Sequence, residues 1–442
     1  MAISFSCPCG KRLRTKDEHA GKRTKCPACG EGLVVPIPEP HGESDDDYAL
    51  MPAPTFGPFA GSTAPPPPRM QEEPSSYIAA RAGMSKPSPA PRLESEASSG
   101  TSLREYMYWL LLLAFVPLGF SMLHKEDDFK DRLHRTIAKN IESVKGVITE
   151  EGVEKDKLLA ALPEKRIEGA HLPVDTWMHW VYATIAAAGF FGVTMLIFPP
   201  GAAKPSHLLA VGLFTGTLGI VFLLGVQFIA DFTQGFWVRG RGIITLVFYI
   251  LKFIGFSYRA ALDPENGFLL SFLGFTCGVG LCEELCKALP LVVHFHRDPS
   301  LGWRGACLWG LASGVGFGIS EGIMYASNHY NGVSPVDIYF IRFISCVGLH
   351  AVWSASVGIT IYRCQDMLQG AEDFGAWGVA LLRVVAVPMV LHGLYDTLLK
   401  QDHNVWALLV GLVSFGWLAW QIEHARGNEP VSNRTSRARA AY

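Results

Sequence analysis

From about residue 106 onward the chain is a succession of long apolar runs separated by short polar intervals. The first runs from Tyr106 to Leu123 and is interrupted by Pro117. The others run roughly from Trp177 to Phe198, Leu208 to Ala230, Ile243 to Phe256, Phe268 to Val293, Ala306 to Ala326, Ile338 to Tyr362, Trp377 to Leu399 and Val405 to Ile422. A helix needs about 20 mostly apolar residues to cross the hydrocarbon core. The pattern therefore predicts an all-α polytopic membrane protein with about 8–9 transmembrane helices. The interval His124 to Asp175 mixes charges with apolar residues at helical spacing, Phe129, Leu133, Ile137 and Ile141, and predicts a short extramembrane helical region. Lys252 lies inside the fourth run, where a long side chain can snorkel toward the interface.

The first hundred residues follow a different plan. Residues 36 to 102 are rich in Pro, Ser, Gly and Ala, with Pro65 to Pro68 consecutive, and cannot bury enough apolar surface to offset chain entropy; they predict a disordered linker. Residues 1 to 35 hold Cys7-Pro8-Cys9-Gly10 and Cys26-Pro27-Ala28-Cys29-Gly30. Two cysteine pairs, each followed by glycine, predict a small N-terminal zinc-ribbon-like module with structural Zn2+ on Cys7, Cys9, Cys26 and Cys29. Lys11 to Lys25 would supply a short hairpin between the pairs. The first pair is one residue short of C-x-x-C spacing, so a disulfide or idle thiols are the alternatives. A ribbon this small would need its metal to fold. The basic residues around it read as solvated charge. The resulting division is 1–35 module, 36–102 linker, 103–425 membrane domain with its core at about 268–400, and 426–442 polar tail.

Composition agrees with a membrane chain. Of 442 residues 49% are hydrophobic and only 18% charged, against roughly 25% charged in soluble domains, and the mean hydropathy is +0.22. The lipid bilayer is thus the expected surrounding, and with no strongly basic surface no nucleic acid is expected as a partner. No secretory signal is visible before the run at Tyr106. Cys277, Cys282, Cys286, Cys307, Cys346 and Cys364 lie in or beside apolar runs and read as unpaired small apolar residues. Orientation is contradictory. Arg239, Arg241, Arg297, Arg304, Arg363 and the tail's Arg426, Arg434, Arg437 and Arg439 share one side if nine spans alternate, and the positive-inside rule makes that side cytoplasmic. The cysteine module would then lie outside, whereas a reduced thiolate site belongs in the cytosol. Either a span is miscounted, with the first and the short fourth as suspects, or one rule is broken.

Polar groups concentrate in the C-terminal runs. Glu283, Glu284 and Lys287 sit within a run that is otherwise apolar. Glu283 and Lys287, four apart, share a helix face, while Glu284 lies about 100° round. Phe317 and Glu321 are four apart in the next run, His350 and Ser354 in the one after, which also carries Arg342, and His392 and Asp396 in the penultimate one. Separate structural ion pairs and core histidines would explain any one of these. An unpaired charge at bilayer centre costs ~3 kcal/mol, so four such sets on four helices point to a shared polar cavity. Carboxylates beside imidazoles support water activation, with a carboxylate as general base and histidines that polarise a carbonyl or bind a metal. Glycines at 274, 278, 280, 310, 314, 316 and 318 would let the helices approach closely around it.

In order along the chain, Glu-Glu-x-x-Lys (Glu283, Glu284, Lys287), Phe-x-x-x-Glu (Phe317, Glu321), Arg342 followed by His-Ala-x-Trp-Ser (His350, Ala351, Trp353, Ser354), and His-Gly-Leu-Tyr-Asp (His392 to Asp396) resemble the PrsW family of intramembrane proteases. That family is related to the CAAX prenyl endopeptidases and the Abi proteins, and the resemblance covers roughly residues 268 to 400. It implies an intramembrane endopeptidase in which Glu283 activates water while Glu284 and Lys287 set its charge state and orientation. Glu283, Glu321 and His350 would hold the water or a metal, and His392 and Asp396 would stabilise an oxyanion or add a further ligand. A catalytic divalent metal, zinc by preference, would thus draw on Glu283, Glu321, His350 and His392. Glu321 stands where the CAAX-type relatives have histidine, and Asp396 where they have asparagine, which leaves open whether a metal is needed. The resemblance further implies a membrane-anchored protein substrate, in the family an anti-sigma factor among others, and a bacterial cytoplasmic membrane.

Two other classes fit parts of the pattern. A transporter or proton-linked channel would use the same groups as a relay and would show internal repeats, which the sequence does not display. A non-catalytic membrane scaffold recruiting partners through the cysteine module has no need of polar groups on four helices.

Overall fold

The computed structural model of the protein describes residues 2–6, 12–16, 19, 21–27, 29–30, 32–34, 103–122, 129–147, 155–297 and 301–428. The chain divides into two units, Met1–Leu93 and Glu94–Tyr442. In the first unit Ala2–Ser6 pairs antiparallel with Arg12–Lys16, and Arg23–Lys25 with Gly32–Val34. Arg12–Lys16 and Arg23–Lys25 thus each pair with a strand outside Lys11 to Lys25 instead of forming one hairpin with each other. At the second turn Cys26 is buried, and its carbonyl accepts the Gly30 N–H at 2.8 Å, with Gly30 at φ +75°. Cys7, Cys9, the linker and the end of the polar tail lie outside the described residues.

The second unit is an all-α polytopic membrane domain. Among the described residues nine helices are long and apolar enough to span a bilayer: Leu103–Ser121, Met178–Leu196, Pro205–Gly235, Ile243–Leu262, Phe268–Phe295, Gly302–Tyr330, Val336–Arg363, Phe374–Lys400 and Asn404–Gly427. The first begins as a 3-10 helix, Leu103–Phe115, and continues as an α-helix from Val116. Pro117 sits in the opening turn of that α segment, where a missing N–H costs nothing, so it does not break the span.

The sixth and seventh helices are the core. Almost every residue from Val347 to Ile361 is buried. Gly310 and Gly314 make this possible: a Cβ on either would run into the carbonyl oxygens of Ser354 and His350. Between apolar lipid tails there is no hydrophobic gain in bringing helices together, so close backbone approach through small residues supplies the packing. Among the described residues four stretches widen into π-helix, and two of them directly precede the polar clusters: Phe275–Gly280 before Glu283, and Ile341–Cys346 before His350. Such bulges rotate the residues that follow relative to a regular helix, and they recur at functional sites.

The extramembrane region forms Phe129–Lys139, Ile141–Val144 and Lys155–Ala161, packed on a small core of Val144, Leu158, Leu159, Leu162 and Ile167 with Leu133 and Ile137. Only half of the expected apolar stripe is used. The helix breaks at Asn140, which puts Ile141 out of phase, and both Ile141 and Phe129 are exposed. The region is tied to the turn between the sixth and seventh helices by backbone bonds, Ile167 N–H to Gly332 O at 2.9 Å, His171 N–H to Ser334 O at 2.9 Å, and Gly332 N–H to Leu172 O at 2.8 Å.

Candidate metal centre

The four polar sets meet in one cluster. Glu283, Glu284 and Lys287 project from the fifth helix, and the latter two are fully buried. Lys287 Nζ lies 2.7 Å from Glu284 Oε1 and 3.7 Å from Glu283 Oε2. It also approaches His350 Nδ1 at 3.0 Å and stands 4.7 Å above the Phe317 ring. The helix-face argument paired Lys287 with Glu283, yet its closest carboxylate is Glu284, three residues back; i, i+3 neighbours are as near as i, i+4.

The seventh and eighth helices supply the imidazoles. His350 Nε2 is 2.7 Å from Glu321 Oε2, and the other oxygen of Glu321 pairs with Arg342 at 2.6 Å. His392 Nδ1 is 3.1 Å from Glu284 Oε1, which leaves His392 Nε2 facing Glu283 Oε2 at 3.7 Å and Asp396 Oδ2 at 3.4 Å. The two imidazole rings stand nearly perpendicular, centroids 5.4 Å apart.

Glu283, His350 and His392 each bring one ligand atom into a set within 4.8 Å of one another, and all three are buried. These residues fit a divalent metal. Glu283 Oε2 is buried and without a hydrogen-bond partner. Its 3.7 Å separation from His392 Nε2 is close to the ~3.4 Å between two ligand atoms of one tetrahedral ion with bonds of about 2.0–2.2 Å. The outer nitrogen of His392 is held by a carboxylate, the arrangement that fixes the tautomer of metal-binding histidines. His350 has both ring nitrogens engaged, by Lys287 and by Glu321, so it offers a ligand atom only by releasing one of them. Glu321 lies outside the three-residue set, one step further out behind His350.

Two groups at the site had no separate signal in the sequence. Trp353 stacks on His392 with centroids 4.3 Å apart and 21° between planes, and stands edge-on to His350. Its Nε1–H donates to Ser414 Oγ at 3.0 Å, and Ser414 Oγ–H donates in turn to Val410 O at 2.8 Å. Trp353 belongs to the His-Ala-x-Trp-Ser stretch. Ser414 stands alone in the ninth helix, beyond every motif.

No curated protein and no solved structure matches the chain. Residues 204–420 match the family described as PrsW family intramembrane metalloprotease, a stretch that contains every residue of the cluster. Those residues form a PrsW family intramembrane metalloprotease domain.

Proposed function

We propose that the Glu283–His350–His392 cluster is where this protease hydrolyses peptide bonds of membrane-anchored protein substrates. The observation that carries the reading is the orphaned Glu283 Oε2, buried and facing His392 Nε2 at 3.7 Å. A buried carboxylate oxygen without a donor costs free energy unless a ligand or water completes it.

In this reading Glu283 takes a proton from the attacking water and passes it to the leaving amine, as a general base and then acid. Glu284 fixes the His392 ring from its outer nitrogen, and Lys287 holds Glu284 in place while touching His350. Glu321, anchored by Arg342, orients His350 from the other side. Asp396 stands 3.4 Å from His392 Nε2 at the open edge of the cluster, its side chain 24% exposed, where it would add a further carboxylate donor beside a bound ion. A divalent ion held by Glu283, His392 and, with one of its two ring-nitrogen contacts released, His350, zinc by the nature of the donors, would supply Lewis acidity toward the water and the scissile carbonyl. Cys7, Cys9, Cys26 and Cys29 would hold a second, structural zinc in the 1–35 module, joined by the 36–102 linker to the 103–425 membrane domain. The substrate would be a single-pass or lipid-embedded protein, of which an anti-sigma factor is one kind, in a bacterial cytoplasmic membrane.

Chelation tests this. Purified full-length protein in proteoliposomes should cleave a single-span substrate, lose cleavage with a strong divalent chelator, and regain it on adding zinc. Cleavage that persists after chelation, with no metal left in the sample, would remove the metal from the account.

A further inference from the structure

The course of the third helix, Pro205–Gly235, differs from that of a simple span. Its first half climbs beside the sixth helix in the same direction: Gly212 packs on Ala312 and Gly216 on Gly316, Thr215 Oγ1–H donates to Ser313 O at 2.9 Å, and Ser320 Oγ–H donates to Gly216 O. At Thr215–Gly219 the helix widens into a π turn, a common site of bending. Beyond it Ile220, Leu223 and Ala230 belong to one apolar cluster with Ile254, Cys282, Cys286 and Phe317.

The chain then runs back along the fourth helix, Ile243–Leu262. Gln234 Nε2–H donates to Lys252 O at 2.8 Å and Tyr249 O–H to Val238 O at 2.9 Å, while Ala230 packs on Gly255. As the first partner advances from 230 to 238 the second recedes from 255 to 249, an antiparallel register that turns close to Ile243. The fourth helix has its other end with the eighth: Lys400 Nζ donates to Asp263 O, and Gln401 Nε2–H to Asn266 O at 3.2 Å. A helix that ended deep in the bundle would leave carbonyls without donors. Lys252 meets that need, its Nζ donating to the carbonyls of Thr233 at 3.1 Å, Gln234 at 2.9 Å and Phe236 at 2.9 Å. Lys252 lies nine residues into its helix, about 14 Å from its start at 1.5 Å per residue. It is thus a helix cap and not a snorkelling surface lysine.

We infer that residues 205–242 form a re-entrant element capped by Lys252, so that the chain crosses the bilayer eight times. The other contacts agree. Leu103 and Gly427 mark the same face, because Glu105 pairs with both Arg304 at 3.2 Å and Arg426 at 3.6 Å, and Phe198 N–H reaches Arg104 O at 3.3 Å. That face gathers Arg104, Lys204, Arg239, Arg241, Arg304, Arg363 and Arg426; on the opposite face the short turns carry Asp263, Glu265 and Asp402, while the long 124–175 interval mixes ten Lys and Arg with twelve Asp and Glu. Applied to the short turns, the positive-inside rule makes the arginine face cytoplasmic. The chain then enters Leu103 from the cytosol, where the cysteine pairs stay reduced. Asp396, at the open edge of the metal centre, is one helical turn from Lys400 and so lies toward the other face.

Short epitope tags inserted into the full chain after Ala202, Gly240 and Glu265 decide the matter, read by antibody in intact and permeabilised cells. The first two should be detected only after permeabilisation, and the third in intact cells. Tags at Ala202 and Gly240 reporting opposite faces would restore nine crossings and overturn the inference. If an insertion prevents accumulation, impermeant thiol labelling of Ser206→Cys, Gly240→Cys and Glu265→Cys gives the same readout. None of these outcomes depends on proteolysis.

Discussion

At the residue scale, the histidines are held by different kinds of neighbour. His350 is gripped through hydrogen bonds at both nitrogens, and His392 through one hydrogen bond and the face of Trp353. Trp353 can clamp His392 only while its own ring is fixed, and Ser414 fixes it. Ser414→Ala leaves the indole N–H buried without an acceptor, which costs about 1–3 kcal/mol of stability. With the ring of His392 loosened, metal affinity should fall about tenfold or more, as when an outer-shell partner is lost. Ser414→Thr, which keeps the hydroxyl, should restore both. Titration of purified protein with zinc, alongside thermal unfolding in detergent, checks this; equal affinity in wild type and Ser414→Ala would refute the clamp. The ligand candidates themselves were legible because charge at membrane depth is costly and therefore conspicuous. Ser414 was not, since a lone serine in an apolar helix more often bonds back to its own backbone, as Ser414 also does.

At the element scale, close helix contact puts the ligands in place. Gly314 sits where the sixth helix passes the backbone of His350, and Gly318 where it passes the His350 ring. Gly314→Ala would push the seventh helix away from the sixth. Overpacking of this kind costs about 1–3 kcal/mol, and the shift falls directly on a candidate ligand. We expect lowered thermal stability together with a larger loss of cleavage than stability alone explains, whereas Gly225→Ala, on an open surface, should change neither. The glycine pattern showed that helices approach, but not which ones. Spacing also could not show the π turns, which arise from tertiary packing and change which side chains share a face. The closeness of Lys287 to Glu284 has another origin: both lie in the regular α segment Leu281–Arg297, where i, i+3 neighbours are as near as i, i+4. The span positions themselves were readable to within a few residues, because a bilayer imposes both length and apolarity.

At the scale of the whole molecule, the chain pairs a catalytic membrane core with a cysteine-bearing N-terminal unit. The arginine distribution and the reducing needs of the cysteines conflicted only because hydropathy counts apolar length and cannot see a helix turn back. The suspects were the first and fourth runs, yet the contacts point to the third. The most direct measurement is cleavage of a membrane-anchored substrate by reconstituted wild-type protein and by Glu283→Gln, both verified as folded and inserted. The account predicts a loss of about 10²–10⁴-fold, the usual weight of a general base. Cleavage by Glu283→Gln at the wild-type rate would contradict it.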